Sequence, residues 1–171
     1  DELESAVDLG QEVLQADVLL VLAKLKEERY DEAIAASEAL EARRPESPVA
    51  FNLTGLALLA QGKLDAARAR FEQALELDPE FSTALINLAR VEVASDDLDA
   101  AEGQYRRALE GDPKNLAALL GMAAIAELRG DDAGILEWLN KAQDANPTAT
   151  QPGLLLSRYY IDRQEYLKSL T

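Results

Sequence analysis

The octapeptide LELDPEFS, residues 75–82, gathers three carboxylates, Glu76, Asp78 and Glu80, around one proline. Such a cluster is the chemistry of a hard-cation site or of a pocket for a basic ligand. Two acid pairs, Asp96-Asp97 and Asp131-Asp132, are the other places where neighbouring carboxyls would share general acid and base work. Around them the sequence is poor in partners. It contains no histidine and no cysteine, which removes the usual base, the thiolate nucleophile, the transition-metal ligands and any disulfide framework. Neither pair is joined by a plausible nucleophile or orienting base, so no catalytic residue, metal ligand or cofactor is assigned. Residues 109–116, LEGDPKNL, keep Leu, Glu, Asp and Pro at the offsets of LELDPEFS but place Lys114 where Glu80 stands, and DANPTA keeps only the Asx-Pro step. A metal site does not tolerate that variation. A turn does, because Pro cannot continue a helix and Asp or Asn before it favours turn initiation.

The charge balance narrows the partners further. Thirty-two acids against seventeen bases give a net charge of −15, which repels nucleic acid and anionic lipid and permits a basic partner. With 48% hydrophobic residues over 171 positions, the chain is long enough for one domain or one stretch of a repeat array. No run of eighteen apolar residues is present, and no basic start leads into an apolar signal segment. The chain opens at Asp1 without Met, which suggests an excerpt of a larger protein.

What positions the Asx-Pro steps is a period. Pro45, Pro79, Pro113 and Pro147 are 34 residues apart, and further columns keep that step. Ala33, Ala67, Ala101 and Ile135 form one small column, and Val21, Gly55, Ala89, Ala123 and Ser157 another. Bulky columns run through Ser37, Phe71, Tyr105 and Leu139, through Phe51, Leu85 and Leu119, and through Leu20, Thr54, Leu88, Met122 and Leu156. Within a unit, Phe51, Thr54, Gly55 and Leu58 fall on one helix face, as do Ala67, Phe71, Ala74 and Leu75, so each unit reads as a helical hairpin. Gly62 and Gly130 end two first helices; the turns at Glu28-Arg29 and Asp96-Asp97 lack glycine and are expected to carry strain or a different geometry. A single hairpin cannot bury its apolar stripe, so the units stack into an all-α, right-handed solenoid. Small residues such as Gly55 and Ala74 let the helices approach beside Phe51 and Phe71.

These columns resemble the tetratricopeptide repeat (TPR) family, through Phe51, Gly55, Ala67, Phe71, Ala74 and Pro79 in residues 48–81 and Leu85, Ala89, Ala101, Tyr105, Ala108 and Pro113 in residues 82–115. Repeats 14–47 and 116–149 depart at Asp17 and Ser37 and at Ile135, respectively. Residues 1–13 then read as the second helix of a preceding repeat, with Leu3, Ala6 and Leu9 in register with Phe71, Ala74 and Leu77. Residues 150–171 read as a further first helix, roughly Pro152 to Asp162, and the start of a second at Gln164 or Glu165. The run from Ala16 to Pro79, with its EALEARRPESP exit and the Asn after Phe51, is more narrowly similar to the TPR lipoprotein of the exosortase, or PEP-CTERM, sorting system of exopolysaccharide-producing bacteria. That resemblance implies a periplasmic or envelope location; without it a cytoplasmic one is expected.

The family resemblance implies a concave groove lined by first helices that takes an extended peptide or a helix. Projected here, the face comprises Val18, Leu22 and Leu25; Asn52, Leu56 and Leu59; Ile86, Arg90 and Val93; Leu120, Ala124 and Glu127; and Leu154, Arg158 and Ile161. It is mostly apolar, with Asn52, Asn87, Arg90 and Arg158 available for a ligand's backbone or carboxylate. The lysines of a TPR carboxylate clamp are missing, with Gln15 and Val18 where a base is wanted. The expected partner is therefore an apolar or amphipathic protein segment. Arg90 is expected to pair with Glu92 or the acids near Asp96, and Trp138 to pack in the seam. An alternative is a structural segment of a longer envelope protein, dimerising through apolar ends at Leu3, Val7, Leu154, Leu156 and Tyr160.

Overall fold

The computed structural model describes the backbone of residues 2–163 and the side chains of residues 13–163. Its helices are α1 (Glu2–Lys26), α2 (Tyr30–Arg43), α3 (Pro48–Ala60), α4 (Leu64–Leu77), α5 (Ser82–Ala94), α6 (Leu98–Gly111), α7 (Leu116–Arg129), α8 (Asp132–Ala145) and α9 (Thr150–Asp162). Among the described residues there is no strand. The 34-residue period is reproduced in the helix starts: α2, α4, α6 and α8 begin at Tyr30, Leu64, Leu98 and Asp132, and α3, α5, α7 and α9 at Pro48, Ser82, Leu116 and Thr150. Consecutive helices pack against one another throughout, giving an all-α solenoid of helix pairs.

The two kinds of helix form separate layers. The first helices touch their successors, α1 to α3, α3 to α5 and α5 to α7, whereas second helices touch one another at most marginally. A stack packed more closely in one layer curves toward that layer, so the first helices form the inner wall. The core lies between the layers. Phe71, Leu85, Tyr105 and Ile125 are buried in its central part, Val21, Leu40 and Leu53 in the part around α1 to α3, and Ile135 and Leu139 toward α9.

Every turn from a first to a second helix uses one device. Glu28, Gly62, Asp96 and Gly130, again 34 apart, have φ of 58°, 80°, 63° and 70°. Behind each, the amide of the following residue reaches the carbonyl five residues earlier: Arg29 to Lys24, Lys63 to Leu58, Asp97 to Glu92 and Asp131 to Ala126, all at 2.9 Å. These are Schellman closures of the helix C-terminus. Of the two outcomes expected at Glu28 and Asp96, strain is the one found: both share the geometry of the glycine turns and stand in the left-handed region, where a side chain is strained.

At the other joint the acids serve the backbone. Asp78 Oδ1 accepts from the Glu80 amide at 3.1 Å and Asp112 Oδ1 from the Lys114 amide at 3.0 Å. Asp97 and Asp131 cap α6 and α8, accepting from the Ala100 and Gly134 amides at 3.0 Å. Among the described residues no group of three or more carboxylates stands where it could hold a metal ion.

One boundary differs from expectation. Helix α1 runs unbroken through residues 13 and 14, joining the expected second helix of a preceding repeat to the first helix of the next. The period puts Gln11 where Pro45, Pro79, Pro113 and Pro147 stand, and without a proline nothing interrupts the ladder. The side chains of Leu3 and Val7 and the helix expected from Gln164 or Glu165 lie outside the described residues.

The irregular columns are accommodated locally. Asp17, in the column of Phe51, is half-buried and pairs with Arg43 at 2.9 Å. Ser37, in the column of Phe71, is fully buried and donates to the Ala33 and Ile34 carbonyls at 3.0 Å.

Candidate functional site

The inner wall is built from the solvent side of α1, α3, α5, α7 and α9. Three rows cross it at the 34-residue step: Val18, Asn52, Ile86, Leu120 and Leu154; Leu22, Leu56, Arg90, Ala124 and Arg158; and Leu25, Leu59, Val93, Glu127 and Ile161. The period places one residue of each row on each helix, and inter-helix contact aligns the rows into a surface.

The residues of this surface divide by depth. Leu22 is 41% exposed, and Arg90 and Arg158 are exposed. Val18, Leu56, Ile86 and Leu120 are half-buried, with Val18, Ile86 and Leu120 packed onto the core beneath them. Asn52 and Asn87 are buried and face each other: the Asn87 side-chain amide donates to Asn52 Oδ1 at 3.0 Å across α3 and α5. Arg90 Nη1 in turn donates to Asn87 Oδ1 at 3.4 Å. The two asparagines thus bridge neighbouring repeats and steady Arg90, which is itself exposed. Arg158 is held by Glu127 at 3.2 Å. Leu120 and Arg158 also line a hollow of about 300 Å³ between α7, α8 and α9.

The acid expected beside Arg90 goes elsewhere. Glu92 is buried and pairs with Arg68 of α4. Residues two apart on a helix point to different sides, so Glu92 turns to the preceding second helix while Arg90 turns to the inner wall. The bond to Glu92 is the main influence holding the Arg68 guanidinium still further above its usual range.

A residue outside the projected face packs beneath this surface. Tyr105 of α6 is buried, and its ring lies against Gly121 of α7, where an added Cβ would come within 2.3 Å of the ring end that carries the hydroxyl. Burial pushes the phenol up from its ordinary value, and the positive charge of Arg90 works against that shift. Tyr105 and Arg90 therefore act on one another electrostatically across the inner layer. The signal was present as a glycine, Gly121, one period after the bulkier Asn87 and two after Leu53, but only the crossing of α6 and α7 gives it meaning.

Chemically, this surface offers apolar rows for aliphatic side chains and one central guanidinium for a carbonyl or carboxylate. The other residues singled out in the sequence lie elsewhere. Trp138 is half-buried on α8 and packs against the core from the outside, with Lys141 Nζ 4.2 Å from its ring centre.

Comparison with known proteins agrees with this architecture. A family profile described as tetratricopeptide repeat matches residues 18–80, 52–115 and 86–150. No curated protein sequence matches the chain significantly. Among solved structures, a thermophilic TPR protein of Thermus thermophilus is similar with a TM-score of 0.75 at 18% identity, over 91% of this chain and 89% of that one. The first TPR unit of Spaghetti (RPAP3), solved bound to the HSP90 peptide SRMEEVD, gives a TM-score of 0.60 at 23% identity, over 67% of this chain and 94% of that one. A chain of the Naa15/Naa10 complex bound to HypK-THB gives 0.67 at 21% identity; this chain covers 23% of its length while 90% of this chain is aligned. At these identities the likeness is one of fold.

Proposed function

The chain belongs to the tetratricopeptide repeat family, and from that premise we propose that it is a non-catalytic scaffold holding a segment of a partner protein against its first helices. The observation that carries the reading is the pair of adjoining inner rows that hold Leu22 and Leu56, and Ile86 and Leu120, with Arg90 exposed at their centre and the other exposed guanidinium, Arg158, already paired with Glu127. RPAP3, of the same fold, is bound to a peptide with consecutive acids. Here Gln15 and Val18 stand where lysines are wanted and the row is aliphatic, so the ligand assigned is an apolar or amphipathic segment, with Arg90 taking a carbonyl or a lone carboxylate. Val18, Leu22, Leu56, Ile86, Leu120 and Arg158 supply contact area, and Asn52 and Asn87 support Arg90 from below. Peptides selected by this chain from a random display library are expected to be apolar with at most one acid. The double variant Leu56→Ala, Arg90→Ala is expected to lose them while keeping its helicity and melting temperature. Undiminished binding by that folded variant would refute the assignment.

A second reading rests on the array ends. Leu19 and Leu20 of α1 are 65% and 49% exposed, and Leu154 and Ile161 of α9 are 71% and 46% exposed, which is apolar surface suited to end-to-end assembly. On that reading the repeats are a structural segment of a longer envelope protein, in keeping with the resemblance to the exosortase-associated lipoprotein. Light scattering of the full-length protein separates the two, because a monomer excludes assembly; adjacent sorting or polysaccharide genes would support the envelope placement.

A further inference from the structure

The looser outer layer leaves a groove of its own. Between α6 and α8 a cleft of about 640 Å³ opens outward, floored by Leu119 of α7 and walled by Leu109 and Pro113 on one side and Trp138 on the other. It lies on the opposite layer from the row that carries Arg90. Its charged rim is unevenly committed. Arg106 is bound to Glu102 at 2.9 Å, and Lys141 to Glu137 at 2.7 Å while it also covers the Trp138 ring. Glu110 on α6 and Asp144 on α8 line the same cleft from opposite walls, and among the described residues neither has an ion pair or hydrogen bond. An apolar floor with an uncommitted carboxylate on each wall, in a chain of net charge −15, complements an apolar side chain flanked by cations. The Trp138 ring already receives a cation from Lys141, so its face has the chemistry to accept one from a ligand.

We propose that this outer cleft is a second docking site, distinct from the inner wall, that takes a basic amphipathic helix of a partner protein. An apolar residue of that helix seats against Leu109, Leu119 and Trp138, and Lys or Arg residues three or four positions away meet Glu110 and Asp144. A second copy of the chain is the poorer occupant, because two bodies of charge −15 repel.

Trp138 is the only tryptophan, so the tryptophan fluorescence of the whole chain comes from a wall of this cleft. Titration with a synthetic amphipathic Leu/Lys helix is expected to give a saturable shift in Trp138 emission. A Leu/Glu helix of the same pattern and a scrambled Leu/Lys peptide are expected to give none. Glu110→Gln and Asp144→Asn each weaken binding roughly two- to fivefold, the range for an exposed charge pair. Lys141→Ala strengthens it by removing the competing cation. All three side chains are exposed, and circular dichroism checks that the variants keep the fold. Leu56→Ala with Arg90→Ala leaves the shift unchanged, which separates this site from the inner wall. The proposal is overturned by an equal response to the scrambled peptide, by Glu110→Gln and Asp144→Asn binding like the parent, or by emission that depends on protein concentration without peptide, which would mark a second copy as the occupant.

Discussion

Gly55 and Gly103 both lie inside helices, yet replacing each by alanine is expected to move stability in opposite directions. A helix interior favours alanine over glycine by about 1 kcal/mol. At Gly103 nothing beyond its own stretch of helix lies within 4 Å of an added Cβ, so nearly all of that gain is realised. At Gly55 the same methyl would stand 2.6–2.9 Å from three carbons of the Phe71 ring, which is itself fully buried. Ordinary contact begins near 3.4 Å, so the ring or the helix must retreat by about 0.5–0.8 Å. Overpacking of this kind costs about 1–3 kcal/mol, which outweighs the propensity gain and leaves Gly55→Ala about 1 kcal/mol less stable than the parent. The two variants then differ by about 2 kcal/mol, and each kcal/mol shifts the melting temperature of a chain this size by about 2–4 °C. Thermal and urea denaturation followed by circular dichroism resolve such a difference. In a Phe71→Leu background the clash disappears and Gly55→Ala is expected to become stabilising. If Gly55→Ala raised the midpoint of the parent as Gly103→Ala does, the close approach of α3 and α4 at this point would be refuted.

Three further outcomes follow from particular contacts. Glu28→Gly relieves a left-handed residue of about 1–2 kcal/mol of steric cost, partly offset by glycine's greater unfolded entropy, for an expected gain of about 0.5–1 kcal/mol in chemical denaturation; a loss would mean that the Glu28 side chain makes a contact worth more than the strain. Arg68→Met strands the buried Glu92 carboxylate and is expected to cost roughly 1–3 kcal/mol, whereas adding Glu92→Leu, which restores the residue type of Leu58 one period earlier, recovers most of it in the same assay. Glu32 is held at about 2, chiefly by its hydrogen bonds from Arg29 and then Lys24. Because that lies below its ordinary value of 4.5, the stabilisation is present above about pH 4.5 and is lost as pH falls toward 2. The acid-induced fall in melting temperature over that window is therefore expected to be shallower in Glu32→Gln, and an identical fall would remove the pair from the account.

The fold was legible because repetition turns weak signals into strong ones. A lone proline or alanine says little, but Pro45, Pro79, Pro113 and Pro147 in step with Ala33, Ala67 and Ala101 fix hairpin length, and the observed helix starts keep the same step. In LELDPEFS the constant Asx-Pro step marked the turn, and Asp78 is spent on that turn. The candidate site was legible only as a face. Periodicity placed Asn52, Asn87 and Arg90 there together, but it could not show that the two amides close on each other, since that contact spans two helices in different repeats.

What the sequence determined by itself is what is local and periodic: the length of each hairpin, where Pro, Gly62 and Gly130 end helices, and which stripe of each helix is apolar. The tertiary structure decided the rest. It chose Arg68 over Arg90 as partner of Glu92, brought Tyr105 through to the layer that carries Arg90, and opened the cleft beside Trp138. Each of these depends on the distance and crossing of helices far apart in the chain, and a one-dimensional period carries phase along a helix but no information on the spacing between layers.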